Sequence, residues 1–483
     1  MTQTRTSVNP GVATAVLSAG GILVSLAQTL IIPLIVQLPK IFNTSPANAS
    51  WIITVTLLAG AISTPIAGRL ADLYGKKHIL LVCLSLFVIG SLVSAASSSL
   101  IPMVIGRGLQ GTASGLIPLG IALMHELLPR ERAGQAIAFM SSSMGIGGAL
   151  GLPLAAAVAQ LASWRFLFLA VAVAGVGVGV ALMWLIPTLP VAKTSARFDV
   201  LGAIGLMVGL VPLLLGISKG ADWGWVSPAT IGCLVGSVII LAIWGIYQAN
   251  RDEPLVNLRT ARLPAVLLTN LASVLFGFTM YAMNLLIPPV IQLPVETGYG
   301  LGQSMVAMGL WMMPMGIGMM AVSGVGARIS AARGPKVTLT WAGGVIATGY
   351  AAAVTTLLTI GNRAPGPAET SLIVTTLVLL SLAGLIVGTG IGLAFGAIPA
   401  SILQAVPLFE TAAANGFNAL MRSLGTTSAS AVLGVILSSM VHQVGGSAVP
   451  TLSAYGLALA LTCVIAVGAG LISLAIPRSQ NNS

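Results

Sequence analysis

The stretch GRLADLYGKKH, residues 68–78, places four formal charges, Arg69, Asp72, Lys76 and Lys77, in a chain where only 6% of 483 residues are charged. Uninterrupted apolar runs flank it on both sides. About 20 apolar residues in a helix cross a hydrocarbon core of about 30 Å, so the stretch reads as a polar turn between two membrane spans. The whole chain agrees with this local reading. Fifty-six per cent of it is hydrophobic and the mean hydropathy is +1.01, leaving far too little charge to cover a water-soluble surface of this size.

Apolar blocks separated by polar breaks fall near 12–38, 51–67, 79–97, 101–124, 136–160, 165–187, 200–217, 228–247, 264–293, 304–326, 337–360, 372–405, 413–440 and 453–476. Fourteen spans put both termini on one side. The first run is too long for a signal-peptide core and has no small-residue cleavage site, so it is kept as a span and the mature chain is expected to start at Met1. The basic residues test the count. One side holds Arg5, Arg69, Lys76, Lys77, Arg130, Arg132, Lys193, Arg197, Arg251, Arg259, Arg262, Arg328, Arg333, Lys336 and Arg478, the other only Lys40, Arg165, Lys219 and Arg363. By the positive-inside rule the richer side, with both termini, is cytoplasmic, and the chain is a multi-pass protein of the inner (plasma) membrane. The formal charge of +11 is thereby explained by topology, without nucleic acid.

The 57 glycines and 26 prolines sit mostly inside the apolar blocks, where small residues let membrane helices pack closely. Cys83, Cys233 and Cys463 all lie within apolar runs and imply neither a disulfide framework nor a metal site. No nucleophile triad, metal cluster or phosphate-binding motif occurs, so neither an enzyme nor a cofactor is expected. All ten acids fall in loops or at span ends, whereas Arg107 and Arg422 lie inside spans.

The opening stretch has an echo. In ARISAARGPK, residues 327–336, Arg328 falls on Arg69, Gly334 on Gly75 and Lys336 on Lys77, while Ala331 takes the place of Asp72. Internal repeats around a central path are a transporter signature. Here the motifs match a known family. GRLADLYGKK resembles motif A of the major facilitator superfamily, GRGLQG (106–111) its motif B, and GIGGALGLP (145–153) the antiporter motif C. NGFNALMRSLG (415–425) is similar to the penultimate span of the fourteen-helix drug:proton antiporter branch. The resemblance implies an all-α integral membrane protein of the major facilitator fold: a six-helix bundle over 1–190, two inserted helices within 191–260, and a second bundle over 261–483. It also implies alternating access at the bundle interface. One departure stands out. The branch usually has an Asp two residues before a Thr in the first span; in LAQTLIIPLIVQLP (26–39) the Thr is Thr29 and the acid position is Ala27.

A carboxylate in a tight turn favours the positive end of a neighbouring helix. In the family the acid equivalent to Asp72 clamps the two bundles shut. Asp72 is therefore expected to meet the start of the thirteenth span, residues 411–416, with Arg69, Gly75, Lys76 and Arg132 completing a gate. The plain alternative, a solvated basic loop, explains the cations but not an acid among them. Arg107 lies about 9 Å into its span and Arg422 about 15 Å. A charge at that depth is expensive and should face protein or water. Both are candidate cavity residues for substrate or coupling, although Arg107 is also near enough to the headgroups to snorkel. With no carboxylate at mid-depth, an anionic or carbonyl-bearing substrate could supply the partner.

Gly147, Gly151 and Pro153 of motif C shape a bending, closely packed helix. In the ninth span Asn270, Tyr281 and Asn284 recur on one stripe and are candidates to line the cavity, with interhelical glue as the alternative. Gln28, Trp311 and Asn418 join them, as do Thr29, Gln404 and Asn415. Met305, Met308, Met312, Met313, Met315, Met319 and Met320 crowd the tenth span, mostly as packing residues. His125 and Glu126 form a candidate proton-handling pair, the alternative being a simple helix-end pair.

The reading is a secondary transporter exporting amphipathic small molecules by alternating access, driven by proton antiport. Its partners are membrane lipid, substrate and protons, and it works as a monomer. A proton-independent facilitator, or a specific metabolite or lipid exporter of the same fold, is the rival reading.

Overall fold

A computed structural model of the chain describes residues 9–31, 34, 37–190, 197–359, 370–444 and 447–477. Arg5, Lys193, Arg363, Glu369 and Arg478, placed in loops from the sequence, lie outside the described residues, as do the side chains of Arg130, Glu131 and Asp222.

The long helices are α1 (Pro10–Thr29), α2 (Trp51–Tyr74), α3 (Lys76–Ala96), α4 (Leu100–Gly111), α5 (Leu116–Leu127), α6 (Arg130–Leu161), α7 (Arg165–Leu185), α8 (Val200–Trp223), α9 (Pro228–Ala249), α10 (Pro264–Gln292), α11 (Met305–Arg333), α12 (Pro335–Thr359), α13 (Thr370–Leu403), α14 (Thr411–Ser439) and α15 (Leu452–Leu474). Among the described residues, 13 helices are long and apolar enough to cross a membrane unaided. The fourth expected span is broken. Its halves, α4 and α5, have 12 residues each and are joined by a 3-10 turn, Thr112–Gly115. A Cβ on Gly111 would sit 2.4 Å from the Thr56 carbonyl, so the helix tightens where it is pressed against α2. The first span is also shorter than its apolar run. α1 is 20 residues long, about 30 Å, which suffices to cross.

Helix ends follow local chemistry. Asn9, Ser227, Ser304 and Thr451 cap α1, α9, α11 and α15 by accepting from backbone N–H groups in the first turn. The two repeat turns are single glycines in the left-handed region, Gly75 at φ 98° and Gly334 at φ 85°, which side-chain-bearing residues rarely adopt. That geometry folds α3 back on α2 and α12 on α11 with no further loop. At the opposite end of the molecule, Arg165 donates to the carbonyls of Ala95 and Ser97, satisfying the last turn of α3.

Helices α1 to α7 enclose one core, around Phe87, Met103, Leu119 and Phe168. Helices α10 to α15 enclose another, around Phe276, Tyr350 and Tyr455. The two bundles meet along α2 and α14, α5 and α14, and α6 with α11 and α13. The inserted pair is not peripheral to this seam. α8 packs on both α2 and α14, and Leu206, Leu210 and Leu214 share a cluster with Ala61 and Ile62 of α2 and Leu420 of α14. Asp199 fastens the pair at one end, accepting from the Gly202 N–H (2.9 Å), the Tyr247 hydroxyl (3.0 Å) and Gln248 Nε2 (2.8 Å). Among the described residues the regular structure is helical except for a short antiparallel hairpin between α14 and α15, β1 (Val441–Val444) and β2 (Ser447–Pro450), with Val441 opposite Pro450.

Candidate gate and central cavity

At the basic end of the bundle seam, α2 and α14 approach backbone to backbone. A Cβ on Gly68 would lie 2.6 Å from the Ala412 carbonyl, and one on Gly416 would lie 2.8 Å from the Thr64 carbonyl. Two glycines thus bring the end of α2 over the first turn of α14. The Asp72 carboxylate takes the free amides there: Ala413 N–H donates to Oδ2 at 2.8 Å and Ala412 N–H to Oδ1 at 3.3 Å. These are the orphan donors of a helix N-terminus, where the dipole also favours negative charge. The residue equivalent to Asp72 in the repeat, Ala331, offers no carboxylate, so this clasp exists on one side only.

Lys76 follows one turn later and is buried. Its Nζ lies 3.4 Å from Asp72 and 3.1 Å from Glu126 at the end of α5, linking clasp and bundle in one ionic chain. Glu126 therefore joins the ionic cluster of Asp72 and Lys76, while His125 beside it is half-buried. Arg132, expected in the same cluster, is instead exposed at the start of α6 and makes no ion pair among the described residues. It stands within the first turn of α6, on the exposed side of the helix. Arg69 lines a neighbouring cavity of about 230 Å³ together with Asp72, Asp252, Asn257 and Glu410. Sequence reading missed Glu410. It ends the loop before α14 and accepts from Asn257 Nδ2 and Thr260 Oγ1, both at 2.9 Å, tying the segment after the inserted pair to the clasped helix.

Deeper along the seam, the two expected membrane arginines take different environments. Arg107 is fully enclosed in the first bundle. It donates to Gln110 Oε1 (2.8 Å) and to the carbonyl of Ala27 (3.0 Å), and Gln110 in turn donates to Ser91. It is a packed residue of the first bundle: Nη1 is shared between an amide oxygen and a main-chain carbonyl, while Nε has no hydrogen-bond partner among the described residues. The carbonyl it meets belongs to the position where the resemblance leads one to expect an acid. Arg422 of α14 does face a small cavity of about 20 Å³ between the bundles, walled by Ser141 and Met144 of α6, Phe395 of α13, and Asn415 and Asn418 of α14. Its guanidinium lies 5.2 Å from the Phe395 ring, a cation–π distance, and it forms no hydrogen bond among the described residues.

The remaining expected polar residues mostly glue helices. Asn418 Nδ2 donates to Asn270 Oδ1 and Ser273 Oγ, both at 2.8 Å, joining α14 to α10. Asn284 bonds the Met280 carbonyl of its own helix, Tyr281 meets Ser430, and the Trp311 carbonyl accepts from Ser381 of α13. Gln28 reaches Ser114 at 3.3 Å, and Gln404 is exposed. Thr29 donates to the carbonyls of Leu26 (2.9 Å) and Gly147 (3.2 Å). Gly147 and Gly151 press on α1, since their Cβ atoms would meet Ser25 and Thr29, and Pro153 follows in the same helix. Met308, Met312, Met315 and Met319 are core residues of the second bundle, whereas Met320 is exposed.

A family model described as Major Facilitator Superfamily matches residues 17–430. Among curated relatives, "Uncharacterized MFS-type transporter YvkA" of Bacillus subtilis is 27% identical over 56% of the chain and 60% of its own length. "Putative multidrug resistance protein MdtD" of Enterobacter sp. is 27% identical over 64% of each chain. The matched stretch thus spans less than two thirds of these relatives' own length. Among solved structures, the proton:xylose symporter XylE superposes with a TM-score of 0.64 at 15% identity, covering 97% of this chain and 96% of that one. The human organic anion transporter MFSD10 superposes with a TM-score of 0.63, also at 15% identity, covering 97% and 100%. At that identity the two structures speak for the fold alone.

Proposed function

The chain belongs to the major facilitator superfamily, and from that premise we propose that it exports amphipathic small molecules across the cytoplasmic membrane by alternating access. The observation that carries this reading is the Asp72 clasp. A charged side chain of one bundle holds the helix N-terminus of the other, next to a seam closed by close-packed glycine, so the contact can be made and broken as a unit. The basic end is the cytoplasmic end in this reading, with both termini on that side, and the conformation described is closed there. Multidrug resistance stands in the name of the MdtD relative, which supports an amphipathic rather than a sugar-like cargo.

Coupling to protons is part of the proposal. The titratable groups available to it are Asp72 and Glu126, joined through Lys76, with His125 next to Glu126. The rival reading, a proton-independent facilitator, is favoured by Ala27, which puts a main-chain carbonyl rather than a carboxylate beside Arg107. Efflux of a fluorescent amphiphile from proteoliposomes tests both. Acceleration by an imposed pH gradient supports antiport. Efflux that ignores the gradient supports the facilitator, and no flux for any member of an amphipathic panel overturns the exporter.

A further inference from the structure

The central cavity holds two donors that no described residue satisfies. Arg422 presents a guanidinium with up to five N–H groups and only the Phe395 ring for company. Across the seam, Ser141 of α6 lines the same cavity. It is 3% exposed, and its hydroxyl has no hydrogen-bond partner among the described residues. Its neighbours behave otherwise: Ser142 donates to the Phe139 carbonyl and Ser143 to the Met140 carbonyl, the usual local solution for a serine inside a helix. Leaving a buried donor unmade is costly, and a cation within a membrane bundle faces a partner or a pathway. Among the described residues no carboxylate lines the cavity, and Asn418 has already spent its amide hydrogens on Asn270 and Ser273.

Resting on the exporter reading above, we infer that the cargo is an amphipathic anion whose acidic group is bound between Arg422 of one bundle and Ser141 of the other. Phe395 backs the guanidinium, and Met144 with the adjoining apolar wall takes the hydrophobic body. At about 20 Å³ the cavity accommodates no such molecule in the conformation described, so binding requires the bundles to part. Because the two donors sit on different bundles, an anion that satisfies both also draws the seam closed, which ties recognition to the transport step. An anionic lipid headgroup has the same chemistry as a soluble anion.

The test uses the full-length protein in zwitterionic nanodiscs and proteoliposomes, with two probes of one shape, 1-naphthalenesulfonate and 1-naphthyltrimethylammonium. The wild type is expected to bind and export the sulfonate at least about tenfold better than the ammonium. Arg422→Gln should abolish that preference and Ser141→Ala should weaken sulfonate binding several-fold, each in protein that keeps the wild-type unfolding temperature; a neutral naphthyl ether serves as a third probe of the wild type. Equal handling of both ions by the wild type, or an Arg422→Gln protein that keeps the preference, overturns the inference while leaving the exporter intact. Flux of the neutral ether with no charge preference is the same outcome. Absence of flux for all three compounds overturns the exporter reading instead. Repeating the binding in nanodiscs containing phosphatidylglycerol identifies the source of the anion: competition by the lipid assigns the site to a headgroup, and its absence to a soluble solute.

Discussion

Replacing Asp72 by Asn keeps the shape of the side chain and removes its charge. In the wild type two backbone N–H groups of α14 donate to the carboxylate at 2.8 and 3.3 Å, and Lys76 lies 3.4 Å away. Hydrogen bonds to a charged acceptor contribute roughly 1.5–3 kcal/mol each, against about 1 kcal/mol for neutral ones. Asn offers a single acceptor oxygen, so two charge-assisted bonds become one neutral bond, and the closed state loses about 2 kcal/mol at the low end of that range. Lys76 keeps Glu126 at 3.1 Å and is not stranded, so the loss falls on the interbundle contact. About 2 kcal/mol is about 30-fold in the closed-to-open ratio. A protein poised at about 100:1 would move to about 3:1, which is directly visible as two populations. Spin labels on exposed Arg132 and Arg333, at the basic ends of α6 and α11, report the opening by pulsed electron resonance once Cys83, Cys233 and Cys463 have been replaced. The longer distance should grow in Asp72→Asn while thermal stability stays within a few degrees. A distribution that superposes on the wild type would refute the clasp.

Gly68→Val places a side chain at a point where its Cβ would already lie 2.6 Å from the Ala412 carbonyl, so the seam cannot shut; substrate efflux should fall below about a tenth of wild type with normal membrane yield, and retained efflux counts against closure at this point. Glu410→Ala strands Asn257 and Thr260 and should destabilise the protein by about 1–3 kcal/mol, read as a lower unfolding temperature in detergent, with Thr260→Val reproducing part of the drop. Gly151→Val collides with Thr29 and should separate α1 from α6, giving poor folding; a Thr29→Gly, Gly151→Ala pair, which removes the colliding Oγ1 and Cβ, should recover most of the yield, and failure to do so would place the strain elsewhere.

Much of the architecture was written in the order of residues, because a membrane leaves few options. Every backbone polar group must be satisfied within lipid, so apolar runs of adequate length become helices. The broken fourth span was not legible. GRGLQGTASG reads as one small-residue face, and only the pressure of α2 against Gly111 explains the 3-10 turn that follows it. Burial likewise separated two arginines that looked alike. Arg107 finds an amide and a carbonyl inside its own bundle, while Arg422 finds only an aromatic ring, a difference set by residues as distant as Ala27 and Phe395. Glu410 carried no signal at all, because a loop acid gains meaning only when Asn257 and Thr260, some 150 positions earlier, arrive beside it.

The sequence by itself determined a chain of lipid-crossing helices with a repeated glycine turn, and an acid in one copy of that turn where the other has Ala331. Composition and spacing are enough for that, since they act through solvation and local backbone freedom. Only the tertiary structure decided what the acid touches, where the inserted helices lie and which buried donors lack an acceptor. Those are properties of pairs of groups brought together from different bundles, and a side chain's partner at that range is fixed by packing.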